Sequence, residues 1–87
     1  MKRLSGVRVE DAVSAQAAAR RYLMAQFGSN KVKDVSFSRA WYTPGAQKDV
    51  WEVEGDAVVK KGWFSKEHIH FKFQIDPGTG RVIAYEI

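Results

Sequence analysis

The chain has 87 residues, with 14 Lys and Arg against 10 Asp and Glu, eleven aromatic side chains (three Trp, three Tyr, five Phe), seven glycines, two prolines and no cysteine. A chain of this length can bury roughly 64% of its extended surface, which suffices for one small core and not for two. The lack of cysteine excludes a disulfide framework and a thiolate zinc site, and 45% apolar residues with 28% charged exclude a disordered chain.

Residues 1–8 form a basic N-terminal arm, and residues 9–87 are expected to make a single α+β domain. Met1-Lys2-Arg3 is followed by Leu4-Ser5-Gly6-Val7-Arg8 and then by Glu10-Asp11 rather than by an apolar stretch. This start does not resemble a secretion signal, and no apolar run approaches the length of a membrane span. The expectation is a cytoplasmic protein with no membrane partner.

Residues 9–27 are rich in alanine, contain no glycine or proline and end at Gly28-Ser29-Asn30, which predicts a helix with a glycine stop. At 100° per residue, Val9, Ala12, Val13, Ala17, Ala19, Leu23, Met24 and Phe27 fall in one arc, the expected buried face. Arg20 lies inside that arc. Glu10 and Asp11 sit in the expected first turn, where the helix dipole favours negative charge.

Beyond residue 30 the period becomes two, and β-branched and aromatic residues dominate. A first strand over 31–43 has Val35, Phe37 and Trp41 alternating with Asp34, Ser36 and Ser38, followed by a Pro44-Gly45 turn and a loop to Asp49. A second over 50–59 alternates Trp51, Val53, Ala57 and Val59 with Glu52, Glu54 and Asp56. Lys60-Lys61-Gly62 reads as a tight hairpin into a long third strand, 63–75. Asp76-Pro77-Gly78-Thr79-Gly80 reads as a strong turn into a fourth strand, 81–87. Short connections favour antiparallel neighbours, so the expected architecture is one N-terminal helix packed on a four-stranded antiparallel meander.

With its helix, its Trp51-Glu52-Val53-Glu54-Gly55 strand and the hairpin Phe73-Gln74-Ile75-Asp76-Pro77-Gly78-Thr79-Gly80-Arg81-Val82, the chain resembles the PepSY-type modules, whose outline is cystatin-like. The resemblance covers roughly residues 9–87 and is sharpest at the hairpin. It implies a helix-on-sheet fold and a role in inhibiting or regulating peptidases, and it brings no catalytic residues.

Side chains that could carry chemistry are few. His68 and His70 are two apart on one strand and share a face, and either Glu54 and Glu52 or Asp56 and Glu54 lie opposite them, so a two-histidine, one-carboxylate metal site with Glu54 is conceivable. The competing reading is a solvated ladder of carboxylates facing Lys66, His68, His70 and Lys72, and no cofactor or metal is expected. Arg20 and Arg39, on core-facing parity, must snorkel or find a carboxylate, with Glu67 and Glu86 as candidates for Arg20; a ligand-binding Arg20 is the other reading. Trp41-Tyr42 and Trp63-Phe64 are adjacent pairs, so one member of each leaves the core side. Tyr42, Val50, Val58 and Phe64 could then form an apolar patch for a protein partner or a second copy. No phosphate-binding glycine loop, serine elbow or cysteine nucleophile is present, and the chain reads as a non-catalytic module that takes no small molecule.

Nucleic acid is the rival partner. Residues 1–33 carry a net charge of +5 and residues 34–87 a net charge of −1, yet nine of the eleven aromatics lie in the second part. By chain position, the basic candidates Lys2, Arg3, Arg8, Arg20, Arg21, Lys31 and Lys33 are separate from the aromatic strands. Separate surfaces favour a protein partner or a second copy met through the sheet face or edge, and a shared surface favours nucleic acid, expected on the basic N-terminal arm and the helix and bound without sequence preference.

Overall fold

A computed structural model describes residues 9–44 and 49–87. The basic arm with Lys2, Arg3 and Arg8, and the Gly45 end of the Pro44-Gly45 turn, lie outside the described residues. Helix α1 (Ala12–Phe27) is followed by strands β1 (Val32–Thr43), β2 (Val50–Lys60), β3 (Lys66–Ile75) and β4 (Val82–Glu86). All strand pairs are antiparallel in the order β1-β2-β3-β4, so the α+β meander with one helix on an open sheet is the observed fold. No described helix is long and apolar enough to cross a membrane.

The helix starts three residues later than the sequence pattern suggests. Asp11 is its N-cap, with extended backbone (φ −149°) and a side chain that accepts from the Ser14 amide at 2.7 Å. That bond holds the Asp11 carboxyl below its ordinary range and satisfies one of the amides that a helix start leaves without a partner. Gly28 ends the helix at φ +96°, donating its amide to the Met24 carbonyl at 2.9 Å.

The buried face of α1 is Ala15, Ala18, Ala19 and Leu23, with Tyr22 and Phe27 packed beside them, whereas Val13 is 74% exposed. The face is therefore turned roughly a quarter turn, at 100° per residue, from the arc that the apolar pattern marks. Alanine on nearly every side blurs that pattern, and close approach decides the matter. The small face lets the helix settle on Phe71 and Phe73, whose rings stack at 4.9 Å, while Tyr22 meets Phe73 edge-on at 5.1 Å. Arg20 consequently lies on the flank and is exposed. Its guanidinium rests 5.7 Å over the Phe37 ring, and neither Glu67 nor Glu86 is its partner.

Two irregularities shift β1. Its pairing with β2 slips between Val32 and Asp34 and again between Phe37 and Arg39. The second bulge, pinned by the Ser38 hydroxyl donating to the Glu54 carbonyl at 3.1 Å, reverses the facing of the rest of the strand. Ala40 turns to the core side and Trp41 to the outer face, the opposite of simple alternation. Arg39 likewise faces outward, over Trp41 at 4.3 Å and 3.7 Å from Glu54.

The core side of the sheet is Val53, Ala57, Val59, Ile69, Phe71, Phe73 and Ile75, all buried. Gly55 sits among them, opposite both Phe37 and Phe71. A Cβ there would lie 2.3 Å from the Ser36 carbonyl oxygen and 2.9 Å from the Phe71 ring. The entering chain is tied at the other end, where the Val9 amide donates to the Pro77 carbonyl at 2.7 Å and the Trp51 indole donates to the Val9 carbonyl at 3.1 Å. The β3–β4 turn is as the residues predict, with the Gly78 amide bonded to the Asp76 carboxylate at 2.8 Å and Gly80 at φ +76°.

Because the Gly55 contact involves backbone, Gly55→Ala is expected to destabilise the fold by about 2–3 kcal/mol through overpacking. Urea unfolding followed by tryptophan fluorescence measures it, and a change under about 0.5 kcal/mol, the scale of ordinary surface substitutions, would refute the close approach.

Candidate functional site

The open outer face of the sheet is polar. Asp56 lies opposite His70, Glu54 opposite Lys72 and Val58 opposite His68. His70 is clamped between two carboxylates, with Nε2 2.8 Å from Glu54 and Nδ1 3.1 Å from Asp56, while His68 Nε2 lies 3.4 Å from Asp56. Both His70 nitrogens can donate at once only in the imidazolium form, and the bonds to Asp56 and Glu54 push its pKa above the ordinary 6.5. Among the described residues no group of three His, Asp or Glu is placed to hold a metal. His68, His70 and Glu54 stand with Asp56 in a ladder of exposed polar side chains, continued by the Trp41 indole donating to Glu52 at 3.4 Å.

The proposed apolar patch does not assemble. Val50 and Val58 do share the outer face, half-buried, but lie eight positions apart on β2, about 26 Å at 3.3 Å per residue. Tyr42 is on the helix side, edge-on to Trp51 at 5.5 Å, with its hydroxyl donating to Asp49, a bond that raises its pKa. Phe64 is not in a strand at all: β3 begins at Lys66, and residues 61–65 form a loop closed by the Lys61 amide on the Ser65 carbonyl at 2.8 Å. In that loop Trp63 is 87% exposed and Phe64 99%. Gly62, at φ +139°, makes the bend.

The lysines meet the aromatics at this loop. Antiparallel pairing brings the start of β1 beside the end of β2, where Val32 is opposite Val59 and the Lys60 amide donates to the Lys31 carbonyl at 2.8 Å. Lys60 is in turn directly opposite Lys66. Lys33 stands at the first bulge of β1, exposed, between Val32 and Asp34. Asn30, Lys31, Lys60, Gly62 and Trp63 line one shallow cleft. Acidic company here is sparse, with Asp34 one step along β1 and Glu67 2.9 Å from Lys61. Strands of this length run about 35–40 Å, close to the molecule's longest dimension of 43 Å, so the cluster occupies one pole of the protein.

Lys31, which chain position separates from the aromatics, is therefore a neighbour of Trp63 in space, and Lys33 stands two residues further along the chain, in β1. Arg21 is elsewhere, lining a groove with Tyr22, Arg81 and Val82. Lys60, Lys61, Lys66 and Asn30 read in the sequence as hairpin, ladder and helix-stop residues and not as binding candidates. The antiparallel order of β1 and β2 was the signal that could have found them. No family model matches the chain, and no curated protein and no solved structure matches it.

The clamp carries a pH signature. With its folded pKa raised, His70 contributes stability that is fully present below its unfolded pKa, near 6.5, and is lost as pH rises through the higher folded value. NMR titration of the His70 ring should give a midpoint above 6.5 that falls in Asp56→Asn; a midpoint at or below 6.5 in the unaltered protein would refute the clamp.

Proposed function

We propose that the domain is a non-catalytic binding module that engages nucleic acid, without sequence preference, through the pole built from Lys31, Lys33, Lys60, Lys66 and Trp63. The observation that carries this reading is the shared cleft of Lys31, Lys60 and Trp63. Positive charge supplies salt-dependent attraction to phosphates, and exposed rings supply faces on which bases stack. Along the middle of the outer face the cations stand among carboxylates instead of aromatics, with His70 and Arg39 against Glu54 and Lys72 opposite it. Fluorescence anisotropy with a labelled oligonucleotide at low salt is expected to give binding at micromolar protein that weakens steeply as salt is raised, and weakens further in Lys60→Glu/Lys66→Glu. No binding at tens of micromolar would end the reading.

A second reading, a protein partner or a second copy, has a different observation behind it. Strand β4 is an edge, and on or beside it Ile83, Tyr85 and Ile87 are 47%, 60% and 55% exposed. An edge of this kind accepts another strand. The PepSY-type resemblance of the β3–β4 hairpin also supports this reading, since it implies action on a peptidase. Light scattering across a concentration series should then show dimers that Ile83→Lys abolishes; a monomer throughout would remove the second-copy form.

A further inference from the structure

Resting on the nucleic-acid reading, we propose that the pole selects single strands over duplex, with bases stacked on Trp63 and Phe64 and phosphates held by the lysine row Lys31, Lys60 and Lys66.

Neither ring serves the fold. With Trp63 87% and Phe64 99% exposed, they bury almost nothing, and the loop is closed by backbone through Lys61 and Ser65. Two large apolar rings held in water on a loop tip present complete π faces. Any base can stack on such a face, but only if it is unstacked from its own neighbours.

The lysine row likewise works against folding. Directly opposed like charges on neighbouring strands destabilise a sheet, and Lys60 faces Lys66 in that way, with Lys31 adjacent on the other side. Neighbouring strands lie about 4.8 Å apart, so the row spans about 10 Å across three chain segments and offers charge to a few successive phosphates. Asn30, in the same cleft, adds an amide that can both donate and accept at a base edge.

Duplex fits this pole poorly. Its base faces are hidden in the stack, so the rings gain nothing, and it is a long, stiff polyanion. Lying along the sheet, it would meet Asp34, Glu54 and Asp56 on the outer face. A flexible single strand can stay on the pole and turn a base toward each ring.

The test is a parallel titration of a short oligothymidylate and of a mixed-sequence duplex at matched nucleotide and low salt, read by anisotropy and by tryptophan quenching, with phosphatidylserine vesicles as a third arm. The single strand is expected to bind about tenfold or more tighter than the duplex. It should quench tryptophan emission in a way that Trp63→Phe removes, and its affinity should fall with salt at a log–log slope of about −2 to −3, from about 0.7 per phosphate. Trp63→Ala/Phe64→Ala should weaken single-strand binding at least tenfold while leaving the weaker duplex binding unchanged. Because both rings are exposed, the variants should melt as the parent does, and a melt run beside the titration confirms the comparison. Equal affinity for single strand and duplex, unaffected by Trp63→Ala/Phe64→Ala, would overturn the selectivity and leave the binding module standing. Failure of both nucleic acids would overturn both, and binding to the vesicles alone would assign the pole to an anionic bilayer instead.

Discussion

The helix can rest on the sheet only because two phenyl rings meet over a strand position with no side chain. Phe37 and Phe71 come edge-on at 6.0 Å across Gly55, on the strand between them. A side chain there would displace the backbone of Ser36 and Phe37 as well as the Phe71 ring. Phe71 then stacks on Phe73, and the alanine face of α1 lies against this aromatic floor. Alanine suits the position because a floor already filled by rings leaves room only for a helix that approaches closely. The N-terminal end of α1 is held separately, by Val9 bonded to both Pro77 and Trp51.

With the apolar work concentrated on one face, the other is left to charge. Arg39, Glu54, His70, Asp56 and His68 follow one another across the outer face, each within reach of the next. Exposed pairs of this kind add little stability singly, but they keep the open face wet and unattractive to another sheet. The β2–β3 loop escapes both arrangements. Its rings take no part in the core, and the lysines around it outnumber the carboxylates, so it differs in character from the rest of the surface.

Element order and type were legible because the change from a 3.6-residue to a two-residue period at residue 30 is sharp and each turn carries its glycine or proline. The N-cap was harder to place, since Val9 and Glu10 continue the helical pattern while the hydrogen bond from Ser14 puts the start at Asp11 and Ala12. The facing of Trp41 and Arg39 turned on one bulged residue, Ser38, which simple alternation cannot register. The helix face was ambiguous because alanine marks little in a hydrophobic pattern and much in a steric one. The pole was hidden for a further reason: charge summed along the chain treats Lys31 and Trp63 as distant, whereas a hairpin of two long strands brings them to one cleft. The histidine pair was visible as a shared-face pair with two registers open to it, and the β2–β3 pairing selects the one in which Asp56 and Glu54 both close on His70.

The fold thus separates three surfaces, an aromatic floor under the helix, a charge ladder on the open face and a lysine–aromatic pole at the end of the strands. The claim that the pole is the working surface is tested most directly by amide and indole shift mapping of the ¹⁵N-labelled protein during titration with a single-stranded oligonucleotide. The account predicts that the Trp63 indole and the amides of residues 28–33 and 58–67 move together, while the Trp41 and Trp51 indoles and the β4 amides stay in place. Shifts concentrated in β4 or on the outer face, with Trp63 unmoved, would contradict it.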